Sequence, residues 1–276
     1  MALLARSRAL AAICVLASAA LYGADKPITV ALVFDGLTEP DREPLRAYLT
    51  KAMGRKVNLA VPDVYSETVE GVVNGSFDFA CLGGLMYVRA HAKHGVIPLV
   101  RRSSDLQYHS VFIAGAGSSI DSLNDLKGKR FALGDINSTS TLIVYRELLR
   151  MGINTSTDLM LRYSGSHVAT AALVESGVVD AGALDETIFA SLIRGGKLNG
   201  DKVRIFHVSE PFAGYVYVAG KGVPAVDREK FVQALLALKE GKDDPVLRIL
   251  RAKRFVIASD QEYAKVRRIA HELKMF

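Results

Sequence analysis

The stretch Asp135-Ile136-Asn137-Ser138-Thr139-Ser140-Thr141 separates an apolar strand-like segment, Arg130 to Leu133, from a segment of helical spacing, Leu142 to Met151, that stops at Gly152. A strand that passes through a short polar turn into a helix is the elementary unit of an α/β sheet. The first backbone N–H groups of such a helix have no partner within it and carry partial positive charge. Ser138, Thr139, Ser140 and Thr141 place four hydroxyls at that point. One hydroxyl suffices to cap a helix, so four in succession predict a helix start that also holds an anion.

The same junction recurs downstream. Leu161 to Tyr163 leads into Gly165-Ser166-His167, then a helix from Val168 to Ser176 that ends at Gly177, then a strand from Val179 to Ala183. Gly165 permits close backbone approach, while Ser166 and His167 supply donors. In an open α/β sheet both junctions fall at the carboxyl edge of the strands, where ligands bind. With Val111 to Ala114, the short helix Asp121 to Leu126 and Ile205 to Val208, they make one α/β lobe over residues 110–209.

Upstream, strands at Ile28 to Phe34, Val57 to Val61 and Phe77 to Leu82 alternate with helices at Arg42 to Met53 and Glu67 to Val73, which predicts a first α/β lobe over residues 25–109. Beyond residue 209 the pattern holds one strand, Gly214 to Ala219, and helices at Lys230 to Lys239, Pro245 to Leu250 and Gln261 to Leu273. One strand cannot form its own sheet. Residues 210–276 are therefore expected to pack back onto the first lobe, with two crossovers between lobes.

At the N-terminus Arg6 and Arg8 precede an apolar run from Ala9 to Leu21. That run is shorter than the roughly 20 residues that span a bilayer, and Ala17 and Ala19 offer a small-residue cleavage site. Residues 1–24 thus read as a signal peptide cut between Ala19 and Ala24, and the mature chain as periplasmic. Cys14 lies inside the apolar run behind bulky Ile13, which argues against a lipid-modified cysteine. Its loss with the leader leaves Cys81 alone, without a disulfide partner. The mature chain of about 250 residues is long enough for two modest lobes.

Of the 35 basic residues only Arg6 and Arg8 leave with the leader, against 29 acidic ones, so a mild positive excess remains. It suits an anionic ligand, but no Lys/Arg block or interleaved aromatic stripe points to nucleic acid. No G-x-S-x-G elbow, P-loop or H-E-x-x-H motif is present. His91 and His94, three apart on a helix, lack a third ligand nearby for a metal. The expectation is a binding protein without cofactor, not an enzyme.

Several motifs in order carry a family resemblance: Pro-Leu-x-x-Tyr-Leu (44–49), Tyr65 before a helix, Phe-Asp-Phe-Ala-x-x-Gly-x-x-x-Tyr (77–87), Asp-Leu-Lys-Gly-Lys (125–129), Asp-x-Asn-Ser-Thr-Ser (135–140), Ser-Gly-Ser-His (164–167), Gly-x-Val-Asp-Ala-Gly-Ala (177–183) and Ser209-x-Pro211. Across nearly the whole mature chain they resemble the PhnD-like phosphonate, phosphite and phosphate-binding proteins of ABC transporters. The resemblance implies a type II periplasmic binding protein, two α/β lobes on a two-strand hinge, expected to act as a monomer with a transporter permease as partner. It further implies a pocket of Tyr65, Tyr87, Ser138, Thr139, Ser140 and His167, with Gly83, Gly84, Thr141 and Ser166 around it.

Two positions depart from the family pattern: Thr141 stands where Gly usually follows Ser-Thr-Ser, and Gly84 where Pro usually follows Gly. Both predict a reshaped wall. Asp185 and Glu186 stand where phosphonate binders can place a carboxylate toward a ligand amino group or protonated oxygen. Some relatives sense arsenite and signal to the periplasmic domain of a sensor kinase. The single thiol of Cys81 keeps that alternative open beside the reading of a buried apolar cysteine.

Overall fold

The computed structural model describes residues 26–33, 38–62 and 64–276; the expected signal peptide lies outside them. The chain begins with β1 (Ile28–Ala31), α1 (Glu39–Met53), β2 (Val57–Ala60), α2 (Tyr65–Asn74), β3 (Phe79–Gly83), α3 (Gly84–His94) and β4 (Ile97–Arg102). It crosses to β5 (Ser110–Gly115), β6 (Arg130–Leu133), α4 (Thr139–Arg150), β7 (Met160–Tyr163), α5 (His167–Glu175), β8 (Ala181–Asp185), α6 (Glu186–Arg194) and β9 (Val203–Val208). It returns through β10 (Tyr215–Ala219), α7 (Ala225–Leu236), α8 (Asp244–Ile249), β11 (Phe255–Ile257) and α9 (Ala264–Glu272).

Two sheets result. One has the order β11-β4-β10-β3-β1-β2, the other β7-β6-β8-β5-β9. Within the first, β1 lies parallel to β2 and β3, and the returning strand β10 runs antiparallel between β3 and β4. Both sheets carry helices on both faces, so central strands are apolar throughout rather than alternating: all five residues of β3 are buried. Phe79 and Cys81 enter the cluster on one face with Phe231 and Tyr217, while Ala80 and Leu82 enter the cluster on the other. Phe79 stacks on Phe231 at 4.1 Å between ring centroids.

Two strands lie where the sequence pattern shows none. β4 contains Pro98 and ends in Arg101-Arg102, an unpromising composition for an interior strand. Its partner β11 pairs only with residues 100–102, so Pro98 sits where that side of β4 is open, next to a register shift opposite β10. The arginines are tolerated because each has a carboxylate: Arg101 reaches Glu262 at 2.6 Å and Arg102 reaches Asp105 at 2.7 Å. Consequently the segment after residue 209 contributes two strands to the first sheet, β10 and the three-residue edge strand β11, rather than one.

The lobes are joined by residues 103–109 and 209–214, which run side by side. Tyr108 and Phe212 pair in antiparallel fashion, with N–H to O distances of 3.2 and 2.9 Å. Gly214 N–H donates to the Asp105 carbonyl at 2.6 Å, and a β-carbon there would stand 2.9 Å from the Tyr108 ring. Arg102 meets both oxygens of Asp105, with side chains 4% and 0% exposed, and lies 5.7 and 5.1 Å from the Tyr108 and Tyr215 ring centroids. Removing one member of so buried a pair strands the other charge away from water. Asp105→Ala is expected to lower the unfolding free energy by about 3–5 kcal/mol, read from the urea midpoint at unchanged slope.

Candidate functional site

Between the lobes lies a small cavity; with its opening to solvent the space amounts to about 350 Å³. Six of its lining residues are the caps or first residues of five different helices: Tyr65 begins α2, Gly83 caps α3, Ser138 caps and Thr139 begins α4, His167 begins α5 and Asp185 caps α6. Every one of these helices follows a strand or the loop after one, so the sheet order itself brings their starts to one edge. Unpaired N–H groups and the positive ends of helix dipoles therefore converge from both lobes. Among the described residues no lysine or arginine lines the cavity. Such a site favours a small anion held by dipoles and hydroxyls.

The second lobe satisfies its helices partly by itself. Ser138 Oγ accepts from Ser140 N–H at 3.2 Å, and Ser166 Oγ accepts from Ala169 N–H at 3.1 Å. Asp185 Oδ1 takes the N–H groups of Thr187 and Ile188 at 2.7 and 3.0 Å and the Thr187 hydroxyl at 2.6 Å. All of the bonds that this carboxylate accepts among the described residues fall on Oδ1, and its residue is 3% exposed. In the first lobe α2 and α3 have no side-chain cap of their own. One N–H of α3 is met from across the cleft: Leu85 donates to Thr139 Oγ1 at 2.9 Å. Arg89 of α3 also reaches across, to Asn137 Oδ1 at 2.8 Å.

His167 is buried against Gly134, and its Nδ1 accepts from Asp185 N–H at 3.4 Å. With Nδ1 as acceptor, the neutral ring carries its proton on Nε2, the orientation of a donor. Ser140 Oγ pairs with the buried Ser110 Oγ at 2.6 Å.

Of the residues expected at the site, Tyr65, Gly83, Ser138, Thr139, Ser140, His167 and Asp185 share the cavity. Others point elsewhere. The Thr141 hydroxyl turns back to the Asp135 carbonyl at 2.8 Å, and Ser166 caps its own helix. Gly84 stands behind the wall: a β-carbon there would come 2.6 Å from the Ala213 carbonyl, so the glycine permits close contact with the hinge segment. Glu186 accepts from His109 N–H at 3.2 Å and is not part of the lining.

Tyr87, expected to close the pocket, is fully buried on the far side of α3, donates to Asp260 Oδ1 at 2.8 Å and packs edge-on against Tyr263. Its position is filled instead by aromatics of the hinge, Tyr108, Phe212 and Tyr215, together with Met86, Asn137 and Gly214. The signal that could have found them was the clustering of aromatics at the inferred crossovers, Tyr108 before residue 110 and Phe212 and Tyr215 after residue 209.

Cys81 is likewise remote from the cavity. It is 0% exposed within the apolar cluster under β3, and burial pushes its thiol up to about 12. A thiol held protonated and out of contact with the cleft is no ligand for a soft oxyanion, which removes the observation behind the arsenite alternative. Among the described residues no group of histidine, cysteine and carboxylate side chains is placed to hold a metal.

Two α/β lobes on a paired-strand hinge, closed over a cavity ringed by helix starts, define the class of type II periplasmic binding proteins. A family model described as the ABC transporter, phosphonate, periplasmic substrate-binding protein matches residues 37–263. The chain belongs to this family. It is 27% identical over 225 residues to a probable ABC transporter phosphite-binding protein, PhnD1, of Prochlorococcus marinus (strain MIT 9301), covering 76% of each chain. It is also 27% identical over 205 residues to the phosphate-import protein PhnD of Mycolicibacterium smegmatis, covering 68% of this chain and 64% of that one. In three dimensions it superposes on the structure of P. marinus PhnD1 in complex with methylphosphonate with a TM-score of 0.83 and 24% identity, covering 91% of this chain and 99% of that chain. No helix among the described residues is long and apolar enough to cross a membrane.

The burial of Cys81 has a direct check. A maleimide reagent is expected to leave the folded mature protein unmodified and to label it once in denaturant, and Cys81→Ser is expected to leave anion affinity unchanged. Rapid labelling of the native protein that ligand slows would place the thiol in the cleft.

Proposed function

We propose that this chain is exported by a cleaved leader and captures a small phosphorus oxyanion, a phosphonate, phosphite or phosphate, in the interlobe cavity. The closed form is then presented to an ABC-transporter permease in the periplasm. The observation that carries the reading is the convergence of helix starts from both lobes on one cavity without a lysine or arginine in its lining. An anion between the lobes gains N–H groups from each only when they close, so ligand shifts the population toward the closed form.

Asp185 sharpens the reading. A carboxylate in an anion site repels a fully deprotonated ligand, but it accepts a hydrogen bond from one that still bears an O–H. Monoanionic phosphonates, phosphite and phosphate carry such a proton near neutral pH, whereas sulfate does not. Hydroxyls of Ser138, Thr139 and Ser140 and the Nε2–H of His167 serve the remaining oxygens. With Nδ1 of His167 accepting from a backbone N–H, these residues act as hydrogen-bond donors to a bound anion. The role is binding, not catalysis.

Calorimetry of the mature protein with methylphosphonate, phosphite, phosphate, 2-aminoethylphosphonate and sulfate tests this. At least one phosphorus anion is expected to bind and sulfate is not. His167→Ala and Ser138→Ala are each expected to weaken binding by about 1–3 kcal/mol, and Asp185→Asn to narrow the gap between phosphorus anions and sulfate. Absence of heat with every phosphorus anion would refute the assignment.

A further inference from the structure

Outside the central cavity the cleft widens into two further spaces. One, about 1200 Å³ and open to solvent, lies between residues 102–104 and 247–253 of the first lobe and residues 187–194 of the second. The other, about 940 Å³, shares Tyr65, His167 and Tyr215 with the central cavity. The two share Ile188, Ser191 and Arg251, so the three spaces form one continuous cleft with the central cavity at its inner end.

The charge changes sharply along that cleft. Among the described residues the inner cavity has no lysine or arginine, whereas the outer spaces are lined by Arg194 and Lys197 from the second lobe and Arg248, Arg251 and Lys253 from the first. Among the described residues no carboxylate lines either outer space. Arg102 also reaches the larger one, but its charge is met by Asp105. Arg194, Lys197, Arg248 and Lys253 form no ion pair among the described residues.

Arg251 adds a separate observation. It follows the end of α8 with φ of +50°, in the left-handed region that glycine or asparagine ordinarily fills after a helix. An arginine is held there against its backbone preference.

Closing the cleft brings like charges of opposite lobes toward each other, which opposes closure unless an anion lies between them. We propose that this vestibule receives a second anionic group of the ligand. The substrate class is a phosphonate or phosphate monoester whose tail bears a carboxylate or a further phosphoryl group. The phosphorus oxyanion occupies the inner cavity, and the tail leaves past Tyr65, His167 and Tyr215 toward Arg194 on one side and Arg248 and Lys253 on the other. The proposal rests on the reading of the inner cavity as a phosphorus-oxyanion site.

The test compares tails of matched size by calorimetry at low ionic strength, using methylphosphonate, propylphosphonate and 3-phosphonopropionate with the mature protein and with the R194Q/R248Q/K253Q variant. The charged tail is expected to bind at least tenfold more tightly than propylphosphonate. The triple variant is expected to lose that advantage while holding methylphosphonate within about twofold of its original affinity. Equal affinities of the charged and neutral tails overturn the proposal, as does an advantage that survives the triple substitution. A salt-dependent association rate with equal affinities would mean that the cations only steer anions, and it overturns the proposal too. If methylphosphonate binds and the charged tail gains nothing, this inference alone falls; if none of the three binds, the assignment of the inner cavity falls with it.

Discussion

The buried ion pair of Arg102 and Asp105 fixes the place about which both lobes are arranged. Arg102 is the last residue of β4 and Asp105 the third residue of the first crossover. The carboxylate takes the Arg102 backbone N–H and its guanidinium, while the Asp105 carbonyl takes Gly214 N–H from the second crossover. The guanidinium lies beside Tyr108 and Tyr215, which line the cavity. Hinge geometry and cavity floor thus depend on one charge pair, and neither member can be lost without stranding the other in a low-dielectric interior. A hinge pinned in this way can rotate, but its inner end cannot drift away from the aromatic floor.

Above that floor the anion site follows from topology. Helices that leave the same edge of two sheets point their starts at the gap between them, and the chain needs only small or hydroxyl-bearing residues there to let an anion approach. Gly83 and Ser138 meet that requirement, and Gly84 does so indirectly by letting α3 settle against the Ala213 carbonyl. Charge is arranged in two zones: helix N–H groups, hydroxyls and the one carboxylate of Asp185 around the inner cavity, cations where the cleft meets water. Lysine or arginine in the inner zone would have to be desolvated along with the ligand, whereas helix dipoles are already in place.

Much of this was legible in the sequence. The strand-turn-helix junctions at residues 130–142 and 161–168 have apolar strands, capping hydroxyls and terminating glycines, and each of these acts locally. β4 was hidden because Pro98 and the adjacent arginines fit a strand only when a bulge, a short edge strand and two distant carboxylates are present. The orientation of Tyr87 is hidden for a related reason. Residues 84–88 of α3 are all buried, so the helix shows no polar stripe to say which side faces the cleft. Likewise β3 is buried on both faces, and alternation cannot tell that Cys81 points with Phe79 into the apolar cluster rather than toward Gly83 and the cavity. Contacts made by folding distant segments together leave little local trace.

The bond from Leu85 N–H to Thr139 Oγ1 joins the two lobes directly, backbone to side chain. A neutral hydrogen bond of about 1 kcal/mol shifts a two-state equilibrium by roughly fivefold, so this contact favours by that factor the lobe arrangement that brings Leu85 and Thr139 together. Thr139 is therefore a clasp as well as a cavity residue: a tighter contact at this point would hold the two lobes together more firmly, and a looser one would let them part more readily.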